Sequence, residues 1–215
     1  MNVNNKKIKQ EVECGLNINW FPGHMKKSLE EIGKIVNKVN LIIEVLDARA
    51  INTSSNDELL NIVGNKPILK IALKSDYSDL KNSNDIFVCN IKEKNLRNKI
   101  INEINKKLKS QFESAKRKGL IHPKFIILVI GLPNVGKSTL INILKNKNTL
   151  ITQNFPGVTK KQTIVNINNE LNLIDTPGVL FKHIEQIEDA YKLTLINSIK
   201  KEIVPLDKVL EYGFN

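Results

Sequence analysis

The sequence predicts a three-layer α/β fold with a mostly parallel sheet. Two observations carry this prediction. Short apolar runs typical of strands alternate with segments of helical periodicity, and the apolar run at residues 125–130 leads directly into a glycine-rich loop and a helical pattern. Such alternation builds a parallel sheet with helices on both faces. Ligands of such sheets bind at the carboxyl ends of the strands, so functional residues are expected there.

The individual elements follow from hydrophobic periodicity and from the positions of turn residues. Before the glycine-rich loop we predict helices near residues 25–37, 57–63 and 96–118, and strands at 41–46, 68–72 and 86–88. After the loop we predict a helix at 138–145, a hairpin over 163–174, and helices at 187–200 and 206–212. Residues 1–17 are expected to form a disordered lead, 18–185 the main domain, and 186–215 a short helical segment.

The glycine-rich loop, residues 131–139, fits the phosphate-binding pattern G-x-x-x-x-G-K-[ST]. Its glycines let backbone N–H groups close around phosphates, while Lys137 reaches the outer phosphates and the Ser138 hydroxyl binds Mg²⁺. A strand before the loop and a helix after it argue against a chance match, because a helix N-terminus favours an anion. The loop residues expected to contact phosphate are Asn134, Val135, Gly136, Lys137, Ser138 and Thr139.

A second motif, Asp175-Thr176-Pro177-Gly178, follows the apolar run at residues 171–174 and matches the D-x-x-G switch. In a phosphate-loop hydrolase this aspartate holds the Mg²⁺ shell and the Gly178 N–H senses the terminal phosphate. An ordinary turn is the alternative, because Pro and Gly are turn residues. Between the two motifs, Thr159 in Pro156-Gly157-Val158-Thr159 is expected to complete the Mg²⁺ site, unless this segment is only a turn that enters the hairpin.

A candidate guanine-recognition element, Lys74-Ser75-Asp76, lies before the phosphate loop rather than after it. With this inverted order, the chain resembles the circularly permuted ribosome-assembly GTPases known as RbgA or YlqF. The resemblance covers nearly everything from Asn19 onward. Its most specific parts are Trp20-Phe21-Pro22-Gly23-His24-Met25, Asp47-Ala48-Arg49, Leu73-Lys74-Ser75-Asp76, residues 131–139 and Asp175-Thr176-Pro177-Gly178.

The resemblance implies a circularly permuted GTP hydrolase that binds GTP or GDP with Mg²⁺ and acts as a switch in late assembly of the large ribosomal subunit. The family's C-terminal helical domain would extend beyond residue 215, so a shortened version of it is expected here. Asp47-Ala48-Arg49 follows a predicted strand. Either it supports the nucleotide site, or Arg49 only pairs with an acidic neighbour.

The family's guanine motif is N-K-x-D, and Leu73 occupies the position of its asparagine. Leucine makes no hydrogen bond to the base, although Asp76 still accepts from guanine and the Lys74 stem packs over the ring. One lost neutral hydrogen bond costs about 0.5–1.5 kcal/mol, which predicts weaker GTP binding rather than none. The base-clamping motif is placed at Cys89-Asn90-Ile91 on a loose match. An NTPase of relaxed base preference therefore stays open. The expected base contacts are Leu73, Lys74, Ser75, Asp76, Cys89 and Asn90.

Catalysis needs a positioned water and a group that neutralises developing charge. Val179 stands where Ras-like enzymes carry a glutamine, and a hydrophobic residue there is typical of the resembled family. By resemblance, Asn134 is a candidate to hold a K⁺ that replaces an arginine finger, and His24 is a candidate for the hydrolytic step. The alternative for His24 is a structural histidine. Lys137 is expected to bear charge on the terminal phosphate.

Composition indicates a polyanionic partner. Lys and Arg number 33 against 22 Asp and Glu, for a formal net charge of +11 and a pI near 9.5. RNA fits this balance, but lysines on the predicted helix at 96–118 also fit the solvated side of an amphipathic helix. An RNA- or ribosome-binding scaffold with a decayed nucleotide site is the second hypothesis.

The two cysteines, Cys14 and Cys89, indicate neither a disulfide framework nor a metal site. With no apolar segment long enough for a membrane span, a cytoplasmic protein is expected. We also expect it to be a monomer.

Overall fold

In the computed structural model, the described residues are 23–145, 164–179, 184, 186–199 and 204–214. They form a six-stranded sheet in the order β3-β2-β1-β4-β6-β5. The strands are β1 (Leu41–Asp47), β2 (Ile68–Leu73), β3 (Ile86–Val88), β4 (Phe125–Ile130), β5 (Ile164–Asn166) and β6 (Leu171–Asp175). Every neighbouring pair is parallel except β5 with β6. The predicted α/β class with a mostly parallel sheet is confirmed.

Seven α-helices lie within the described ranges. They are α1 (Gly23–Val36), α2 (Ile51–Ser54), α3 (Asp57–Val63), α4 (Leu96–Arg117), α5 (Lys137–Leu144), α6 (Ile187–Leu195) and α7 (Leu206–Phe214). Only α2 has no counterpart among the predicted helices, because a four-residue helix is too short to show a periodicity. Within the same ranges, no helix is long and apolar enough to cross a membrane.

The core explains why the strands read as continuous apolar runs. All positions of β1 and of β4 are buried, as expected for central parallel strands covered on both faces. The predicted apolar face of α4 packs into this core: Leu96, Ile100, Ile104 and Leu108 are buried, and Ile101 and Phe112 are partly buried. Each fully buried side chain of this kind contributes roughly 1.5–3 kcal/mol to stability.

The sheet brings the sequence motifs to one edge. Asp47 ends β1 and pairs in register with Leu73, which ends β2. Asp175 ends β6 and pairs with Val129 of β4, two residues before the glycine-rich loop. The guanine motif, the phosphate loop and the D-x-x-G motif therefore meet at the carboxyl ends of parallel strands, where this fold class places its ligands.

The helix predicted at residues 187–200 is shorter than expected, because α6 ends at Leu195. Asn197 adopts a left-handed conformation with φ of 64°. Its N–H donates to the Thr194 carbonyl at 3.0 Å, and the Ser198 N–H donates to the Leu193 carbonyl at 2.8 Å. This pair of bonds is a common way to end a helix, with asparagine in place of the usual glycine.

Residues after position 186 contribute to the same core as the sheet, since Leu193, Ile196 and Ile199 are buried there. The domain boundary at residue 186 stays a prediction. The lead at 1–17, Trp20-Phe21-Pro22 and Thr159 lie outside the described residues. His24 lies in α1, but its side chain is not among the described ones.

Candidate functional site

Two glycines shape the phosphate loop. Gly131 has φ of +146°, and a Cβ added to it would lie 2.5 Å from the Val45 carbonyl oxygen. Gly136 has φ of +109°, and a Cβ there would lie 2.7 Å from Cδ1 of Leu73. Backbone conformations and contacts of this kind favour glycine. The loop is thereby pressed against the ends of β1 and β2, and Leu73 contacts it directly.

Lys137 is the first residue of α5 and is only 8% exposed. Its Nζ donates to the carbonyl oxygens of Gly131 at 3.2 Å and Leu132 at 2.8 Å. Burial lowers the pKa of Lys137 to about 8, although the Asp175 carboxylate acts in the opposite direction. A buried ammonium group held by the loop's own carbonyls is placed to exchange these bonds for phosphate oxygens.

Asp175 faces this lysine from the end of β6. Burial raises the pKa of Asp175, and the Lys137 charge and a hydrogen bond from the Thr176 N–H oppose that rise in part. The described residues contain no cluster of three or more His, Cys, Asp or Glu side chains for a metal. One carboxylate and one hydroxyl, from Asp175 and the exposed Ser138, nevertheless fit Mg²⁺, which takes few protein ligands and completes its shell with phosphates and water.

The D-x-x-G segment packs on the phosphate loop. The Thr176 hydroxyl donates to the Val129 carbonyl at 2.6 Å. A Cβ added to Gly178 would lie 2.8 Å from Pro133 Cα and 2.9 Å from Lys137 Nζ, so Gly178 sits beside the lysine. Val179 is buried, and its N–H donates to the Gly131 carbonyl at 3.3 Å. The segment and the loop thus form one surface around Lys137.

A cavity of about 280 Å³ lies beside the loop at the predicted base site. It is lined by Leu73, Lys74, Asp76, Tyr77, Asn90, Ile91, Lys92, Val135, Gly136 and Thr139. The guanine motif, the loop after β3 and the phosphate loop therefore share one cavity. Ile91 belongs to the predicted base-clamping motif, whereas sequence reasoning did not predict Tyr77 or Lys92 as part of this site. Of these, Tyr77 is 70% exposed, and its position directly after Asp76 was the available signal.

Two predicted base contacts, Cys89 and Ser75, do not line this cavity. The Cys89 side chain lies in the hydrophobic core, where burial raises the pKa of its thiol to about 12. Its backbone N–H donates to the Ala72 carbonyl at 2.9 Å, and its carbonyl accepts from the Ser75 N–H at 3.4 Å. In the described structure both residues hold the backbone around the cavity, and direct contact with the base stays a prediction for them.

Asp47 joins the D-A-R motif to the guanine motif. Its carboxylate is fully buried and accepts from Arg49 Nε at 2.9 Å, from Arg49 Nη2 at 2.8 Å and from Lys74 Nζ at 2.7 Å. Lys74 Nζ also donates to the Asn134 carbonyl at 3.1 Å. Burial by itself raises the pKa of Asp47, but the hydrogen bonds from Arg49 and Lys74 outweigh it and hold that pKa below its usual value. Arg49 therefore pairs with an acidic neighbour, and that neighbour anchors Lys74 against the phosphate loop.

The turn after α6 also contacts the phosphate loop, which the sequence did not predict. Asn134 Nδ2 donates to the Asn197 carbonyl at 2.7 Å. The Ser198 hydroxyl donates to the Pro133 carbonyl at 2.8 Å. The C-terminal segment thus binds the loop through two hydrogen bonds, and the candidate cation-binding residue Asn134 takes part in one of them.

Comparison with known proteins agrees with this geometry. A family profile described as "50S ribosome-binding GTPase" matches residues 126–211, which include the phosphate loop and the D-x-x-G motif but not the guanine motif that precedes them. The probable ribosome biogenesis GTPase A of Mycoplasma genitalium is 42% identical over 199 residues, covering 92% of this chain and 74% of the relative. This chain belongs to the ribosome biogenesis GTPase A family.

Further members of the ribosome biogenesis GTPase A family support the assignment. The Bacillus pumilus protein is 33% identical over 210 residues, covering 92% of this chain and 74% of the relative. Among solved structures, GNP-bound YlqF from T. maritima superposes with a TM-score of 0.59 at 25% identity, covering 87% of this chain and 73% of that chain. The resemblance inferred from the motifs and the permuted fold are both confirmed.

Proposed function

We propose that this chain hydrolyses GTP to GDP and phosphate and acts as a switch in late assembly of the large ribosomal subunit, in the cytoplasm and as a monomer. One observation carries the proposal: the guanine motif and the phosphate loop line one cavity. The positions of Lys137 and Asp175 at the same edge of the sheet agree with it. Family membership supports the reaction and the ribosomal partner. The scaffold hypothesis has less support, because the phosphate loop and the D-x-x-G segment keep their motif residues and pack against each other.

The reaction is attack of water on the terminal phosphate. Lys137 binds the outer phosphates in exchange for the Gly131 and Leu132 carbonyls, and the Gly178 N–H, next to that lysine, senses the terminal group. Ser138 and Thr159 would hold Mg²⁺ together with Asp175, and the bound ion would neutralise charge on the phosphates. Each of these groups acts on negative charge that grows in the transition state.

The water needs a partner other than Val179. Because the Val179 side chain is only 1% exposed and apolar, it neither reaches nor orients a water. We assign this task to His24, as the family resemblance implies. Asn134 is assigned the K⁺ at the loop that replaces an arginine finger and neutralises developing charge. The Asn134 amide is exposed at the loop and already bound to the Asn197 carbonyl, so its orientation is defined.

Base selection is proposed to depend on Asp76, with Leu73 as an apolar support. Leu73 packs on Gly136 and leaves recognition of the guanine N–H groups to the exposed Asp76 carboxylate.

We expect unlabelled ATP to displace bound fluorescent GTP only at concentrations at least about tenfold above those of GTP or GDP, since adenine offers no matching pair of donors. Equal displacement by ATP would favour the second candidate, an NTPase of relaxed base preference, which the Leu73 position suggests.

The ribosomal contact is proposed to include RNA bound at a basic tip, defined as Lys116, Arg117, Lys118 and Lys124 at the end of α4. All four side chains are exposed, and within the described residues none has an ion pair. Two other lysines of α4, Lys99 and Lys106, instead pair with Glu93 and Glu103. Concentrated unpaired cations fit a phosphate backbone.

Neutralising this tip tests the RNA contact. We expect the triple change Lys116→Gln, Arg117→Gln and Lys118→Gln to weaken binding to large-subunit RNA about tenfold or more near 0.1 M salt, with a shallower salt dependence. The matched control removes three exposed lysines elsewhere, through Lys27→Gln, Lys34→Gln and Lys94→Gln. If both triple variants lose affinity equally, net charge rather than the basic tip is responsible.

A further inference from the structure

We propose that Asn56 is a positioning residue for GTP hydrolysis, which fixes the chain after the D-x-x-G motif against the phosphate loop. The buried carboxylate of Glu44 holds Asn56 in place. The inference rests on the proposed GTPase reaction. It gives Asn56 and Glu44, which lie outside the nucleotide-binding motifs, a role in positioning the groups that carry out this reaction.

The Asn56 side chain is 1% exposed and has two partners. Its Oδ1 accepts from the Leu59 N–H at 3.2 Å and so caps the N-terminus of α3. Its Nδ2 donates to the Val179 carbonyl at 3.2 Å. Because one partner is a donor and the other an acceptor, only one orientation of the amide satisfies both. The same side chain therefore starts a helix and binds the switch segment.

Val179 is held from both sides. Its carbonyl accepts from Asn56, and its N–H donates to the Gly131 carbonyl at 3.3 Å. Gly178, whose N–H is expected to meet the terminal phosphate, immediately precedes it. The position of that N–H depends on where Val179 is fixed. Asn56 thus acts through Val179 and does not itself line the nucleotide cavity.

Glu44 lies within β1, a strand that is buried at every position, and is itself 1% exposed. Its Oε1 accepts from the Asn56 N–H at 3.2 Å and from the Ser55 hydroxyl at 2.9 Å. Lys70 Nζ lies 3.6 Å from Oε2, which has no hydrogen-bond partner among the described residues. A carboxylate at such a position is costly to bury and adds no apolar packing. Its bond to the Asn56 N–H instead holds the turn that carries Asn56.

The variant Asn56→Ser separates the two tasks of this side chain. Serine is about as good a helix cap as asparagine but lacks an amide that donates to Val179. We expect kcat for GTP to fall about five- to tenfold, the typical effect of one lost hydrogen bond, while KM and the affinity for GDP change less than about twofold. Hydrogen exchange of the Val179 amide, followed by NMR without nucleotide, is expected to accelerate.

Ser55→Ala is the matched control, because it removes the neighbouring bond to Glu44 and leaves the Asn56 amide intact. We expect it to keep wild-type kcat and wild-type protection of Val179. The proposal is overturned if Asn56→Ser keeps both values, or if its kcat, KM and GDP affinity all change in proportion to a loss of stability. Should the wild-type protein itself fail to hydrolyse GTP, the proposed function fails, whereas Val179 exchange in Asn56→Ser still decides whether Asn56 fixes this segment.

Discussion

Replacing Lys137 by alanine is expected to lower kcat for GTP hydrolysis about 10²–10³-fold, the usual cost of losing one group that stabilises transition-state charge. Lys137 is the buried cation of the phosphate loop, with Nζ bound to the Gly131 and Leu132 carbonyls. GTP affinity is expected to fall at least about tenfold as well, because charge-assisted hydrogen bonds to phosphate are lost. Single-turnover hydrolysis and fluorescent-nucleotide titration measure the two effects.

Loss of the Lys137 charge should leave the fold intact, which Lys137→Met tests. Burial lowers the pKa of Lys137 to about 8, so near neutral pH the folded protein bears the cost of a buried ammonium group. Lys137→Met keeps the apolar stem without this charge, and we expect its free energy of unfolding without nucleotide to be no lower than that of the wild type. Lys145→Ala, at the exposed end of α5, is the matched control and should retain activity. Wild-type turnover by Lys137→Ala would show that the phosphate site has been assigned wrongly.

Gly131→Ala is expected to lower the free energy of unfolding by about 3 kcal/mol or more and to abolish nucleotide binding. A positive φ of this kind costs a non-glycine residue about 1–3 kcal/mol. At Gly131 the added Cβ would also lie 2.5 Å from the Val45 carbonyl oxygen, a backbone atom that no side-chain rotation can move away. The loop would have to separate from β1, which would displace Lys137 from its site.

Gly119→Ala separates these two costs. Gly119 also has a positive φ, of +77°, but nothing lies within 4 Å of an added Cβ. We expect this control to lose about 1 kcal/mol and to bind GTP normally. Urea unfolding and nucleotide titration of both variants make the comparison. Equal losses at the two sites would mean that the contact with Val45 contributes nothing.

The fold could be predicted because its determinants are local. Central parallel strands must be apolar on both faces, so β1 and β4 appear in the sequence as unbroken hydrophobic runs. The phosphate loop needs glycines and a lysine at fixed spacing, which survives any permutation of the chain. The motifs that contain Lys137 and Asp175 could therefore be recognised in the sequence, and the structure brings these two side chains near each other.

The remaining parts of the site depend on contacts between residues far apart in sequence. Asn56 and Val179 are 123 positions apart, and Asn134 and Asn197 are 63 apart. No periodicity encodes such pairs. The end of α6 was also missed, because asparagine replaces glycine at the left-handed position, and helical propensity alone extends the helix to Lys200.

The D-A-R motif and Leu73 show what sequence leaves open. Two alternatives for Arg49 were compatible with the residues, and the geometry combines them through Asp47, whose carboxylate binds both Arg49 and Lys74. From the sequence, Leu73 stands in place of the family's asparagine and so makes no hydrogen bond to the base. Its packing against Gly136 became visible only when β2 and the phosphate loop were placed side by side.

The most direct test of the proposed switch is GTP hydrolysis by the purified protein with Mg²⁺ and K⁺, measured with and without large ribosomal subunits. We predict GTP turnover that large subunits stimulate and that Lys137→Ala lacks under both conditions. A wild-type protein that binds the subunits but neither binds nor hydrolyses GTP would contradict the proposal and identify a ribosome-binding scaffold.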